Sequence, residues 1–589
     1  MIRRAAPLLW ALGLAVVVLG PALAPGYVLQ YDMVFVPQQS LLPASFGLGG
    51  QLPRAVPQDA VMGLLTWVVP GAVWQHLALV AIVVVGALGA ARLLRGQPAL
   101  VRAAGAMLFV WSPYVAQRLL LGGWSLLLAV ALLPWILQAA IDVRRGMAGA
   151  GWRLLLLVGV ASLTPTGGLL AVAIAAPVAA GPRTRSPLAQ RIALVAALLA
   201  LQLPWIVPSL LHPAAGSSDP EGALAFALRP EGGWGPLVTA LGTGGVWNAQ
   251  VVLPTRGLLL APVAAALLTV LALAGLRPLV RILGRAAVIW LGACAAAGVA
   301  IAVLGTWSAT SGAMESLVSA VPGAGLLRDG QKWLAPWLLL MSIASPLGLQ
   351  RLLRRVTDRT VLVSLGAGLV LLPVAVMPDL AWGGLGRMRT TDYPQDWAAV
   401  REALQQPDAA AGDVAVLPWS AFRAFEWNRG RTSLDPAPRY LPRTTVVDDS
   451  LLVATPDGVV RVSGEDPRSR EIAAALAEDR PLGEVLPRLG VSYVVVELTT
   501  PGPDVGSAVN DLDPVVLGST IGLYAVPGQI EPWPGPSRAS VVLVALAFAA
   551  AGLVLITSAA RTGASWAVAR RNRGRPATVP AVDRSKEDT

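Results

Sequence analysis

A series of apolar runs, most of them about 20 residues long and separated by clusters of arginine, limits what this chain can fold into. The runs lie at roughly 7–24, 74–93, 99–112, 121–141, 192–211, 257–276, 286–305, 333–350, 361–377 and 539–559. A bilayer core requires about 20 apolar residues per helix, and its lack of water leaves only helices or closed barrels as spanning structures. Runs this long predict helices. Only 13% of the 589 residues are charged and 55% are hydrophobic, with mean hydropathy +0.63. Soluble proteins carry roughly a quarter charged residues, so the composition is that of a polytopic membrane protein.

The net charge of +11 invites a nucleic-acid reading, but the positions of the charges argue against it. Arg3/Arg4, Arg92/Arg95/Arg102, Arg144/Arg145/Arg153, Arg183/Arg185/Arg191, Arg277/Arg281/Arg285, Arg351/Arg354/Arg355/Arg359 and the tail fall between or beyond apolar runs. That pattern marks cytoplasmic loops. Applied strictly, it decides the segment 152–180, which arginine clusters flank on both sides. The chain is expected to enter the membrane and return, turning near Ser162, Thr164, Pro165, Gly167 and Gly168. Each leg would be too short to cross at 1.5 Å per residue; a single tilted span is the alternative. The expected fold is a polytopic α-helical membrane bundle of about 12 membrane segments with a small extracytoplasmic α/β domain, both termini cytoplasmic in the plasma membrane. Its parts are a bundle at 1–377, the α/β domain at 378–535, a last membrane helix at 536–560 and a basic tail at 561–589.

Within 378–535 the apolar pattern breaks. A helix is expected after Tyr393-Pro394, strands at 414–417, 491–497 and 522–526, and a helical stretch at 470–489. Cys294 is the only cysteine, so no intramolecular disulfide staples this domain. His76 and His212 are far apart beside apolar runs, as interfacial polar residues are, and offer no zinc site. The densest polar-aromatic segment holds Arg423, Trp427, Asn428 and Arg429. Such residues either bind an acceptor by stacking on sugar rings and bonding hydroxyls, or pack the domain onto the bundle.

Charged groups at the outer mouth are the candidates for chemistry, since desolvating them is costly without a purpose. The carboxylates there are Asp32, Asp59, Asp219, Glu221, Glu231, Glu315 and Asp329. Asp32 follows the first apolar run, among Tyr31, Met33 and Phe35. That apolar company would raise its pKa toward a useful base, whereas a solvated residue at a helix end would not be shifted. Arg328 and Lys332, four apart before a span, would share a face of an early-starting helix. They can grip a lipid-linked phosphate or snorkel to headgroups. Lys332 is the only lysine before Lys586 in a chain that otherwise uses arginine. Arg118 is a third cation at that level.

The layout resembles the GT-C superfamily of polytopic glycosyltransferases, and among them the arabinofuranosyltransferase-like envelope proteins of actinobacteria. The resemblance rests on Asp32 in the first outer loop and on Trp111-Ser112-Pro113-Tyr114 with Gly122-Gly123-Trp124. It also rests on the broken Thr164-Pro165 pair, the Arg328-Asp329…Lys332 cluster and the outer domain. It implies a polyprenyl-phosphate sugar donor, a cell-envelope glycan or glycolipid acceptor, and no nucleic-acid partner. It also implies Asp32 as catalytic base with Asp59 a second carboxylate, and Arg328, Lys332 and Arg118 on the donor phosphate. In such proteins the loop aspartate either deprotonates the acceptor hydroxyl or helps hold a divalent cation. Here no Asp-x-Asp pair stands in the first loop, so no metal ligands are assigned. A non-enzymatic scaffold or export factor for envelope glycans is the competing reading. A secondary transporter would show paired repeats and mid-bundle charges, and neither is visible.

Overall fold

The computed structural model describes residues 2–213, 221–321, 323–455, 458–502 and 506–573. Asp219 and the tail residues 574–589 lie outside the described residues. Among those described, nine helices are long and apolar enough to cross a membrane: Ala5–Leu23, Gly71–Leu93, Ala99–Leu120, Trp124–Arg144, Leu260–Leu283, Arg285–Leu304, Gly330–Arg355, Arg359–Val376 and Arg538–Ala564. Where one run was expected at 192–211, the chain makes two helices, Leu188–Ala200 and Leu203–Leu211, bent by 55°. Pro204 at the second helix's start removes a backbone donor and the continuity with it. The last helix runs to Arg573, past the expected end at 560.

The segment 152–180 is two short helices, Ala150–Ala161 and Pro165–Ala180, breaking at 162–164. Their free ends meet the same end of Trp124–Arg144. Arg153 pairs with Asp142 at 3.3 Å, while Arg144 donates to the carbonyls of Val178 (3.2 Å) and Pro182 (2.5 Å). The pair is therefore a hairpin that returns to its starting side. Exposed backbone at such a break must find partners inside protein. Buried Gln202, from the neighbouring bend, donates to the Ser162 hydroxyl at 2.9 Å and accepts from the Trp205 indole at 3.1 Å. At the centre, helices Leu260–Leu283 and Ala335–Leu352 touch at Gly275 and Gly348. A Cβ there would lie 1.9 Å from the Ala344 and Leu271 carbonyl oxygens, so only glycine permits this approach.

At one end of the bundle sits a five-stranded sheet, in the order β10 (Asp513–Leu517), β11 (Ile521–Ala525), β9 (Val491–Glu497), β3 (Asp413–Leu417), β6 (Thr445–Val446). β3 is parallel to β9 and β6, while β11 is antiparallel to β9 and β10. Val414, Val416 and Val495 join the core shared with the bundle. Ala415, Leu417, Val494 and Val496 face a second core with Ile472 and Leu486. Burial of both faces explains why these strands read as continuous apolar runs. The helical stretch expected at 470–489 is interrupted: Pro467–Ala477 ends before Pro481, and Leu482–Val485 is a separate turn. The first loop is woven into this region. β1 (Tyr27–Val28) pairs antiparallel with β2 (Thr390–Thr391), and Tyr31 bridges to Ser433. Ser433 belongs to a small hairpin of β4 (Phe422–Arg423) and β5 (Ser433–Leu434); another joins β7 (Leu451–Thr455) to β8 (Gly458–Val462).

Candidate active site

The backbone around Asp32 is held by specific partners. Both main-chain polar groups of Val28 bond the buried Gln75 side chain, at 2.9 and 2.7 Å. The Gln30 amide donates to the Leu120 carbonyl at 2.8 Å, Tyr31 N–H to Thr432 at 2.8 Å, and Asp32 N–H to Leu121 at 3.1 Å. Gly122, at φ +84°, lets the two loops touch; a Cβ there would stand 2.2 Å from the Met33 nitrogen. This is the physical content of Gly122-Gly123-Trp124: it clamps the aspartate loop to the helix carrying Arg118. Tyr31 itself adopts φ +46°, a conformation that L-residues avoid by about 1–2 kcal/mol. That twist sends the Tyr31 hydroxyl to Gln250, at 2.5 Å, on one side, while the neighbouring Asp32 faces Lys332 and Arg118 on the other.

The Asp32 carboxylate is reached by solvent, and no protein group among the described residues bonds it. Protein nonetheless walls it on its other sides. That burial pushes its pKa above the usual carboxylate value, and the charges of Lys332, Arg439 and Arg118 offset part of the effect. Asp329 has the opposite surroundings. Burial works against its charge, but Arg118 binds both its oxygens (2.8 and 2.5 Å) and Lys332 lies 3.5 Å away. Together they hold its carboxyl below the usual range. Arg118 is 2% exposed, whereas the Lys332 side chain keeps 35% of its surface. The Tyr114 hydroxyl donates to the Lys332 carbonyl at 3.0 Å and fixes its backbone. Two carboxylates whose pKa values are driven apart beside one partly exposed lysine is an arrangement suited to acid–base work.

The remaining expected site residues are placed differently. Asp59 is ion-paired to Arg439 at 3.1 Å and ties the first loop to the α/β region. Arg328 does not share a helix face with Lys332, because Asp329 is non-helical between two 3₁₀ turns, Ala324–Leu327 and Gly330–Leu334. Its guanidinium lies 4.7 Å from the Phe226 ring centroid instead. Arg423 has no surface to offer an acceptor, being held by Asp435 (3.0 Å) and Glu497 (2.7 Å) at 0% side-chain exposure. Asn428 is equally buried and donates to the Leu29 and Arg431 carbonyls. Trp427 packs 4.7 Å from Phe425 and 5.4 Å from Tyr393, so this part of the segment fastens the domain to the loop. Only Arg429 of the four is exposed. Glu231, another candidate carboxylate, is a buried partner of Arg256 at 2.8 Å and of the Gln117 amide at 2.5 Å.

Two features escaped the sequence reading. Arg439 acts on Asp32 from the α/β region, with no local pattern to reveal it. Arg387, Arg389, Arg429 and Arg431 line one cavity of about 670 Å³ with Gln30, Tyr31, Gln250, Gly386 and Thr432. Each pair stands two residues apart in the sequence, but only the fold brings the two pairs together. The donor set does not fit a divalent cation: Asp59 and Asp329 are engaged by cations, leaving Asp32 alone beside Lys332. Among the described residues no three His, Cys, Asp or Glu converge.

No protein-family model and no curated protein matches the sequence. A solved structure does match: a cryo-EM structure of a mutant of the arabinofuranosyltransferase AftD from mycobacteria, with a TM-score of 0.53 and 19% identity. The match covers 90% of this chain and 42% of that one. The chain thus spans less than half the length of the protein it resembles. At this identity the likeness is one of fold. The architecture read from the sequence, a helical membrane bundle with an α/β region built onto one end, is the architecture of the chain, and its fold is similar to that of this structure.

Proposed function

We propose that this chain is a membrane glycosyltransferase that moves a sugar from a polyprenyl-phosphate donor to a cell-envelope glycan or glycolipid at the extracytoplasmic face. The observation carrying this reading is the unbonded, solvent-reached Asp32, with its raised pKa, in the electrostatic field of the half-exposed Lys332. The orientation follows from arginine placement. Arg144, Arg153 and the Arg185 backbone gather at the end of helix Trp124–Arg144 remote from Asp32, and cations prefer the cytoplasmic side. With the hairpin and the bent pair counted, twelve membrane segments would leave both termini inside.

In the proposed reaction Asp32 takes the proton of an acceptor hydroxyl as its oxygen attacks the anomeric carbon. The bond from that carbon to the donor phosphate breaks, and its electron pair leaves with the polyprenyl phosphate, inverting the configuration. A carboxylate with a raised pKa is a stronger base near neutral pH. Lys332 neutralises charge growing on the departing phosphate. Arg118 acts through Asp329, which fixes the ammonium, and is a positioning residue; Arg439 restrains Asp59 beside the same mouth. The assay uses full-length protein in membranes with polyprenyl-phosphate arabinofuranose and a short arabinan, the sugar being that of the structural neighbour. Asp32→Asn should insert and melt like the parent while transfer falls about 10²–10⁴-fold. Transfer by the variant at the parental rate would reject Asp32 as the base, and no transfer by the parent chain would favour a scaffold.

A further inference from the structure

Arg387, Arg389, Arg429 and Arg431 form a cluster on the far side of Tyr31 from Asp32, and the proposed transfer does not use it. Two segments remote in sequence build it. Arg387 and Arg389 follow the turn 382–385, whose residues all have φ between +57° and +66°. Arg429 and Gly430 are also left-handed, at +60° and +66°. Arg431 locks the segments together by donating to the Arg389 carbonyl and, at 2.8 Å, to the Asn428 side chain. Arg387 donates to the Gln250 carbonyl at 2.6 Å. Among the described residues none of the four makes an ion pair. Burial, with the like charges of Arg429 and Arg389, pushes the Arg431 guanidinium down to about 10. Like charges held together around one cavity repel one another, and an anion relieves that repulsion.

We infer that this cavity binds a phosphate group, and that Trp382 and Leu385, on the turn that leads into Gly386 of its wall, direct it to the phosphate of a lipid headgroup. Arginine forks bind phosphate oxygens in pairs, and about 670 Å³ suits a headgroup rather than a bare ion. Trp382 and Leu385 are 55% and 70% exposed, on a turn packed against the end of the first helix. Apolar and aromatic side chains standing bare at the end of a membrane helix belong in the bilayer interface. A lipid with its tails against them would place its phosphate beside Arg387 and Arg389.

The test uses the purified full-length chain. Retention of phosphatidylglycerol against phosphatidylcholine is read by native mass spectrometry, and inorganic pyrophosphate binding by calorimetry. The variant Arg387→Gln/Arg429→Gln alters two exposed side chains, and Arg387→Lys/Arg429→Lys keeps their charge. The parent should prefer phosphatidylglycerol, and the glutamine pair should weaken both ligands about tenfold or more while the lysine pair recovers part of the loss. Trp382→Ala separates the sources. Loss of the lipid alone identifies a headgroup site, whereas a glutamine pair that loses pyrophosphate yet retains the lipid as the parent does, with retention also unchanged in Trp382→Ala, assigns the phosphate to a soluble ligand and overturns the lipid part. Parental binding of both ligands by a folded glutamine pair overturns the site altogether.

Discussion

Arg118 and Arg423 are each buried to within 2% of completely, and each is gripped by carboxylates. Their surroundings then diverge. Arg423 meets Asp435, Glu497 and the Pro418 carbonyl, and nothing of that group reaches solvent; burial pushes the Glu497 carboxyl well above its usual value. Arg118 meets Asp329, but Asp329 also holds Lys332, whose side chain keeps about a third of its surface and whose charge acts on Asp32. A buried arginine–carboxylate pair by itself is scaffold, because its charges are spent on each other. What makes the mouth a candidate site is the charge left over once the pair has formed.

Removing Arg423 should produce the largest change. Arg423→Met leaves buried carboxylates without their cation and should destabilise the α/β region by about 3–5 kcal/mol, seen as a lower Tm of the detergent-solubilised chain. A small Tm shift would mean that its network is no more structural than that of Arg118. Lys332→Met should divide the effects the other way. Stability should change by about 1 kcal/mol or less, since the side chain is partly exposed, while sugar transfer falls about 10²–10³-fold and Lys332→Arg restores part of it.

The two clusters should also differ with pH. Transfer should fall on the acid side as Asp32 gains a proton, at a pH above the 3.9 or so of an ordinary aspartate, because its pKa is raised. A pH–rate profile flat down to that value would break the base assignment. Glu497, whose folded pKa is also raised, stabilises the fold fully below its unfolded value near 4.3 and loses that contribution as pH rises through the folded one. Glutamine mimics the protonated acid, so Glu497→Gln should be the mildest change, within about 1 kcal/mol. It should flatten the decline in Tm toward high pH.

Much of the architecture was legible because its cause is local. The break at 162–164 was readable from flanking arginines and Pro165, and the strands at β3, β9 and β11 from unbroken apolar runs. The bend between Leu188–Ala200 and Leu203–Leu211 was missed although Pro204 signalled it, since apolar content was read there and backbone donors were not. The segment at 422–431 showed the opposite weakness. Its aromatics and arginines read as a glycan surface because residue type reports chemistry and leaves exposure open. Arg423 and Asn428 turned inward, while Arg429 and Arg431 formed a cavity with arginines some forty residues away in the chain.

The sequence by itself determined that this chain lives in a bilayer, where it breaks, and that a carboxylate follows the first helix. These are consequences of transfer free energy and hydrogen-bond satisfaction along a continuous stretch of chain. Only the tertiary structure decided which charges are spent and which remain. Asp59 went to Arg439, Asp329 to Arg118 and Lys332, and Asp32 to no partner among the described residues. Electrostatic pairing acts through space at a few ångströms, and the pairs that settle it here lie from 3 to 380 positions apart in the chain.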